Sequence, residues 1–134
     1  MKLKILHIED DVMKQIAITR VIQSVADAKI IWVSDMASGM EKIEEAIKEN
    51  EPFNLAITDM HYPLSKDSKS DLEAGETFIA EVKNRKWNLP VIICSSVNRR
   101  NDDILGCVWY HESYDWESKM RELINQVLRN KASV

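Results

Sequence analysis

Residues 53–64, FNLAITDMHYPL, constrain this chain more than any other stretch. Residues 54–58 are largely apolar, carry the β-branched pair Ile57 and Thr58, and follow the breaker Pro52, which is the pattern of a buried strand. Asp59 stands where that strand should end. Pro63, four residues on, stops the chain from pairing further. Ligands of open α/β sheets bind outside the carboxyl ends of the strands, so a carboxylate placed there projects into a cleft. Taken alone, such an Asp can equally open a local turn. A second acidic group at another strand end is what gives it chemistry.

Glu9, Asp10 and Asp11 supply that group. They follow residues 3–8, in which Leu3, Ile5, Leu6 and Ile8 make a buried strand despite His7. Asp11 has a simpler use as a helix N-cap, because anions are stabilised at a helix start. If the first and third strands are neighbours in a parallel sheet, Glu9, Asp10 and Asp59 converge. Three carboxylates at close range repel unless a cation neutralises them. Such hard oxygens select Mg²⁺, which takes one or two carboxylates, a carbonyl, waters and a phosphate oxygen.

Composition narrows the class. A length of 134 residues suits one domain, residues 1–134, with a real core. With 30% charged and 45% apolar residues, nothing suggests disorder. A net charge of −4 argues against nucleic-acid binding through this domain, which would show a basic face. Cys94 and Cys107 lie in apolar, strand-like runs, as reduced thiols of a cytoplasmic protein do. No apolar run reaches membrane-spanning length, and residues 3–8 are too short for a signal-peptide core.

Periodicity predicts the remaining elements. Residues 12–25 carry Val12, Ile16, Ile18, Val21, Ile22 and Val25 near helical spacing, with Lys14, Gln15 and Arg20 interspersed. Residues 29–33 read as a second strand. Ser34 and Asp35 start a second helix over 36–50, with Met40, Ile43, Ala46 and Ile47 buried and its charged residues in water. Residues 65–73, SKDSKSDLE, lack apolar periodicity and read as a surface loop. A third helix follows over 76–86, with Phe78, Ile79 and Val82 inward, and a fourth strand over 91–94 ends at Ser95 and Ser96. Residues 98–105 leave room for a short helix only. A fifth strand spans 107–110, and a helix capped by Asp115 covers 116–129, with the tail fraying from Asn130. Strands alternating with helices through short loops mean a doubly wound α/β fold, a parallel sheet with helices on both faces. Its acids and Ser95 then share one sheet edge.

With those residues placed, the chain resembles the receiver domain of two-component response regulators over essentially its full length. KILHIEDD looks like that family's first strand and acidic pair, TDMHYPL like its phosphoacceptor strand, and PVIICSS like its fourth strand ending in Ser or Thr. The resemblance implies a five-stranded, flavodoxin-like sheet of order 2-1-3-4-5. It implies that Asp59 accepts a phosphoryl group from a sensor histidine kinase or phosphotransfer protein. Mg²⁺ would be held by Glu9, Asp10, Asp59 and the backbone carbonyl of His61. Ser95 would hydrogen-bond the phosphoryl group and act as a switch, with Tyr110 or Trp109 as the switch aromatic. Core packing accounts for at least one of those two rings. Phosphoryl transfer depends on positioning and charge neutralisation more than on acid–base groups.

One departure stands out. The family places a lysine just after the fifth strand, whereas the corresponding stretch CVWYHESYDW offers Tyr110, Glu112 or Ser113, none of them positive. Lys119 is too far along. Losing a charge-assisted hydrogen bond there would cost about 1–3 kcal/mol. Lys66 or Lys69 in the long loop, or Arg99 after the fourth strand, is the expected substitute.

The leading expectation is thus a stand-alone phosphorylated switch that signals by protein contact, without membrane or nucleic-acid contacts of its own. It would be no enzyme beyond slow self-dephosphorylation, and its output would use the fourth helix, fifth strand and last helix. A phosphorylation-independent interaction module that kept the fold is the alternative, favoured by the missing lysine. A Mg²⁺-dependent phosphohydrolase ranks last, because His61 occupies the position where a second acid is wanted.

Overall fold

Strand β1 (Lys2–Ile8) shows how one run of apolar residues serves two cores. Successive side chains of a strand leave opposite faces. Leu3 and Ile5 therefore enter one core with Ile18, Val21 and Ile22 of α1 (Val12–Gln23) and Met120, Leu123, Ile124 and Val127 of α4 (Trp116–Ala132). Leu6 and Ile8 enter the other, with Met40, Ile43 and Ala46 of α2 (Met36–Lys48) and Phe78 and Val82 of α3 (Ala74–Asn84). The computed structural model describes residues 2–132.

The sheet is completed by β2 (Asp27–Val33), β3 (Leu55–Thr58), β4 (Val91–Ser95) and β5 (Gly106–Trp109). All five strands run parallel in the order β2-β1-β3-β4-β5, the doubly wound, flavodoxin-like arrangement. Register pairs Ile8 with Thr58, so the residues after β1 and after β3 emerge side by side at the carboxyl edge.

Four expectations from periodicity need correction. Residues 98–105 form no helix. The polar run from Asn98 to Asp103 has no stripe to bury, and Asn101 Oδ1 accepts the Asp103 N–H at 2.8 Å in a local turn. Among the described residues there are therefore four helices, and the expected output face lacks the helix between β4 and β5. Residues 65–73 are not a free loop either: Ser70–Asp71 pairs antiparallel with Tyr62–Pro63, and Pro63 stands in the ladder opposite Ser70. A two-residue ladder outside the main sheet can tolerate the missing N–H. Ile47 is exposed rather than buried, and Val12 and Ile16 of α1 are exposed as well. Finally, α4 does not fray at Asn130; Lys131 Nζ donates to the Lys2 carbonyl at 3.2 Å and to Asn54 Oδ1 at 3.4 Å.

The α2 cap is buried, which raises its worth. Asp35 is 2% exposed and accepts from Ser38 N at 2.8 Å and Ser38 Oγ at 2.7 Å. Asp35→Ala should lower unfolding free energy by about 1–2 kcal/mol, read as a lower urea midpoint at unchanged slope.

Among the described residues, no helix is long and apolar enough to cross a membrane. Both thiols are free, with Cys94 buried and Cys107 half-buried.

Candidate functional site

The carboxyl edge gathers its acids through backbone pairing that continues past the strand ends. Glu9 N donates to Val33 O at 3.0 Å, and Asp59 N donates to Ile8 O at 3.1 Å. Glu9 is held further by the Trp32 indole, whose Nε1 donates to its carbonyl at 2.6 Å, and by Asp11 N, which donates to Oε2 at 3.2 Å. Asp11 itself caps α1, accepting from Met13 N at 3.0 Å and Lys14 N at 3.2 Å, as the sequence suggested. Carboxylate oxygens of Glu9, Asp10 and Asp59 lie within 4.8 Å of one another. Glu9 is fully buried and Asp10 exposed, while the Asp59 side chain keeps 16% of its surface open. Met60 N donates to Asp59 Oδ1 at 2.7 Å, which leaves Oδ2 facing the pocket.

Lys14 occupies the centre. Its Nζ lies 2.9 Å from Glu9 Oε1, 3.3 Å from Asp59 Oδ2 and 2.8 Å from the carbonyl oxygen of Cys94. The Tyr110 ring centroid is 5.4 Å from the same nitrogen. None of the three expected substitutes is in the pocket: Arg99 pairs with Glu76, while Lys66 and Lys69 are exposed and form no ion pair among the described residues. The signal that would have found Lys14 is its phase. It lies on the stripe of Ile18, Val21 and Ile22, at positions i, i+4, i+7 and i+8, so it points inward.

Electrostatics follow from that burial. Desolvation pushes the Glu9 carboxyl up to about 7, with the Asp59 charge adding and Lys14 opposing. Partial burial also raises Asp10. Burial alone would lower the Lys14 ammonium, but Glu9 and then Asp59 hold it above the usual lysine value, so it is charged at neutral pH. Burial pushes the Cys94 thiol up to about 12, which leaves it protonated and poorly nucleophilic.

The other expected site residues are partly assembled. Ser95 ends β4 and is 1% exposed, but its Oγ accepts from Val97 N at 3.1 Å, and no hydrogen bond joins it to the acids. His61 lies half-buried between Met60 and the ladder residue Tyr62, and its side chain is outside the acidic group. Trp109 and Tyr110 divide their roles. Trp109 donates from Nε1 to Ser96 O at 3.0 Å and stacks on His111 at 4.5 Å, whereas Tyr110 packs on Trp116 at 4.8 Å beside the α1–α4 core.

No protein-family model matches the sequence. No curated protein sequence matches it either. Solved structures do. The response regulatory domain of protein mrkE from Klebsiella pneumoniae superposes with a TM-score of 0.73 at 10% identity, over 98% of this chain and 100% of that one. The signal receiver domain of an HD domain-containing protein from Pseudomonas fluorescens gives 0.71 at 11% identity, covering 100% of both chains. The chemotaxis response regulator CheY4 of Vibrio cholerae gives 0.64 at 13% identity, over 97% and 98%. The fold is that of response regulator receiver domains. This receiver fold places three carboxylates at the carboxyl edge and brings an ammonium to them from α1.

Proposed function

We propose that this chain is a response regulator receiver whose Asp59 accepts a phosphoryl group from a sensor histidine kinase or phosphotransfer protein, and which signals by protein contact. One observation carries this reading: Glu9, Asp10 and Asp59 converge at the carboxyl edge, with Asp59 open to solvent. The oxygen-only donor set fits Mg²⁺, which would be held by Glu9, Asp10, Asp59 and the His61 carbonyl. When bound, that ion supplies charge neutralisation for the phosphoryl oxygens.

The chain's own residues supply position. Met60 N fixes Asp59 Oδ1, so the second carboxylate oxygen is aimed at an incoming phosphorus. An Asp59 oxygen forms the new bond as the phosphorus–nitrogen bond of a phosphohistidine breaks, and the imidazole leaves with the electron pair. Ser95 becomes available to the phosphoryl oxygen once its Oγ releases Val97 N. Tyr110 and Trp109 lie on the segment that would respond, because Tyr110 N donates to Ser95 O at 2.8 Å.

A second reading, a phosphorylation-independent module, is favoured by the ion contacts that Lys14 already makes inside the pocket and by the engagement of Ser95. Incubation with Mg²⁺ and acetyl phosphate separates them. Wild type should gain one phosphoryl group by mass, and Asp59→Asn should gain none. Absence of uptake in wild type supports the module, and continuous phosphate release over many turnovers supports a hydrolase.

A further inference from the structure

We propose that Lys14 is the resident cation of this pocket, the amine that contacts the phosphoryl group on Asp59, delivered from the first turn of α1. This rests on the receiver reading above and names the residue that would complete its site.

The geometry has three parts. First, the ammonium donates to the Cys94 carbonyl and forms ion pairs with Glu9 Oε1 and Asp59 Oδ2. A buried ammonium needs such compensation, and Lys14 is only 6% exposed. Second, the contacts are not equivalent. The Cys94 carbonyl belongs to β4, and the Glu9 carboxylate, just past β1, is held by Asp11 N, so both are held in place. Asp59 Oδ2 is the longest contact and belongs to the open carboxylate. When Asp59 is phosphorylated to the acyl phosphate, the negative charge lies on the phosphoryl oxygens. The two rigid contacts then hold the ammonium while its third N–H turns to the nearest of them. Third, just past the end of β5 an aromatic ring stands where a lysine was expected. Tyr110 sits over the Lys14 nitrogen there, and Lys119 pairs with Glu122 at 3.7 Å along α4.

Transfer from acetyl phosphate balances without a proton. An Asp59 oxygen bonds to phosphorus, the bond from phosphorus to the acetyl oxygen breaks, and acetate leaves with the pair. Negative charge on the transferring group is what the buried Lys14 ammonium would meet. The same ammonium lies between two carboxylates that Mg²⁺ would use. Lys14 should therefore assist phosphoryl transfer and oppose metal binding in the resting site. A merely structural lysine would not separate those two effects.

Lys14→Met keeps the aliphatic stem and removes the charge. It should slow phosphoryl uptake from acetyl phosphate by about 10- to 100-fold, the worth of a charge-assisted hydrogen bond. Mg²⁺ affinity, followed by tryptophan fluorescence with Trp32 bonded to Glu9, should tighten. Unchanged uptake, or uptake and metal affinity falling together, overturns the assignment while leaving the receiver reading intact. Wild type that takes up nothing removes both. Should Lys14→Met fail to fold, a crystal structure of wild type with Mg²⁺ and beryllofluoride decides. Lys14 Nζ within about 3 Å of a fluorine supports the assignment, and Nζ turned away from it overturns it.

Discussion

Gly75→Ala should destabilise the protein by about 3 kcal/mol, the upper end of what overpacking costs, with urea unfolding as the measurement. Gly75 lies in the first turn of α3 and donates from its N–H to the Met60 carbonyl at 3.0 Å, so the helix start rests directly on the segment after β3. A Cβ at this position would press on the Asp59 carbonyl oxygen and come within 2.9 Å of Met60 Cα. Both are backbone atoms, and neither can swing aside. Relief requires moving either α3 or the Asp59 turn. Phe78, fully buried one helical turn on, ties α3 to the sheet, so the Asp59 turn should yield. Phosphoryl uptake should therefore fall along with stability. Gly106→Ala provides the contrast. Its Cβ would meet Leu123 Cδ1 at 2.8 Å and Cδ2 at 2.9 Å, the far end of a side chain that can rotate. A cost near 1 kcal/mol and unchanged uptake are expected there.

Gly75 also marks where reading the sequence runs out. Strand and helix identities were legible because apolar runs and 3.6-residue stripes report burial directly, as in Leu3 to Ile8 or Met40, Ile43 and Ala46. The convergence of Glu9 and Asp10 with Asp59 was legible too, since β1 and β3 both end at the same edge of a parallel sheet. Lys14 was not. A lysine inside an amphipathic pattern is normally assigned to water, and only its place on the stripe of Ile18 and Ile22 shows that it turns inward. The ladder between Tyr62–Pro63 and Ser70–Asp71 left no periodic trace, because two residues per strand are too few for alternation to register. Nor could a sequence show that Ile47 is exposed at the end of α2's apolar stripe, or that Ser95 Oγ is already engaged by Val97.

Stability should fall below about pH 4.5, and His7 is a cause. It is fully buried in β1, and among the described residues neither ring nitrogen has a hydrogen-bond partner. Burial first, and then the Lys14 charge, lower it from 6.5 to about 3. The unfolded chain thus binds a proton that the fold refuses. Stability from neutral His7 is complete above pH 6.5 and is lost as pH falls toward 3, at about 1.4 kcal/mol per unit. Glu9 runs the other way. Raised from 4.5 to about 7, it holds in the fold a proton that the unfolded chain has released. Its contribution is complete below pH 4.5 and is lost as pH rises through 7. Between 4.5 and 6.5 the two slopes cancel, and stability should be nearly flat. Below 4.5 the Glu9 slope is spent, and the His7 slope lowers stability. Asp10, raised by partial burial from its ordinary 3.8, acts in the same sense as Glu9, beginning at that lower pH. His7→Leu removes one branch alone. In urea titrations with chelator present, that variant should gain stability as pH falls from 7 to 4.5, where wild type stays level. Below pH 4.5 it should also lose less stability than wild type does. A variant that tracks wild type across the whole range would show that the imidazole is not neutral in the fold, and that the acid limit lies with the carboxylates instead.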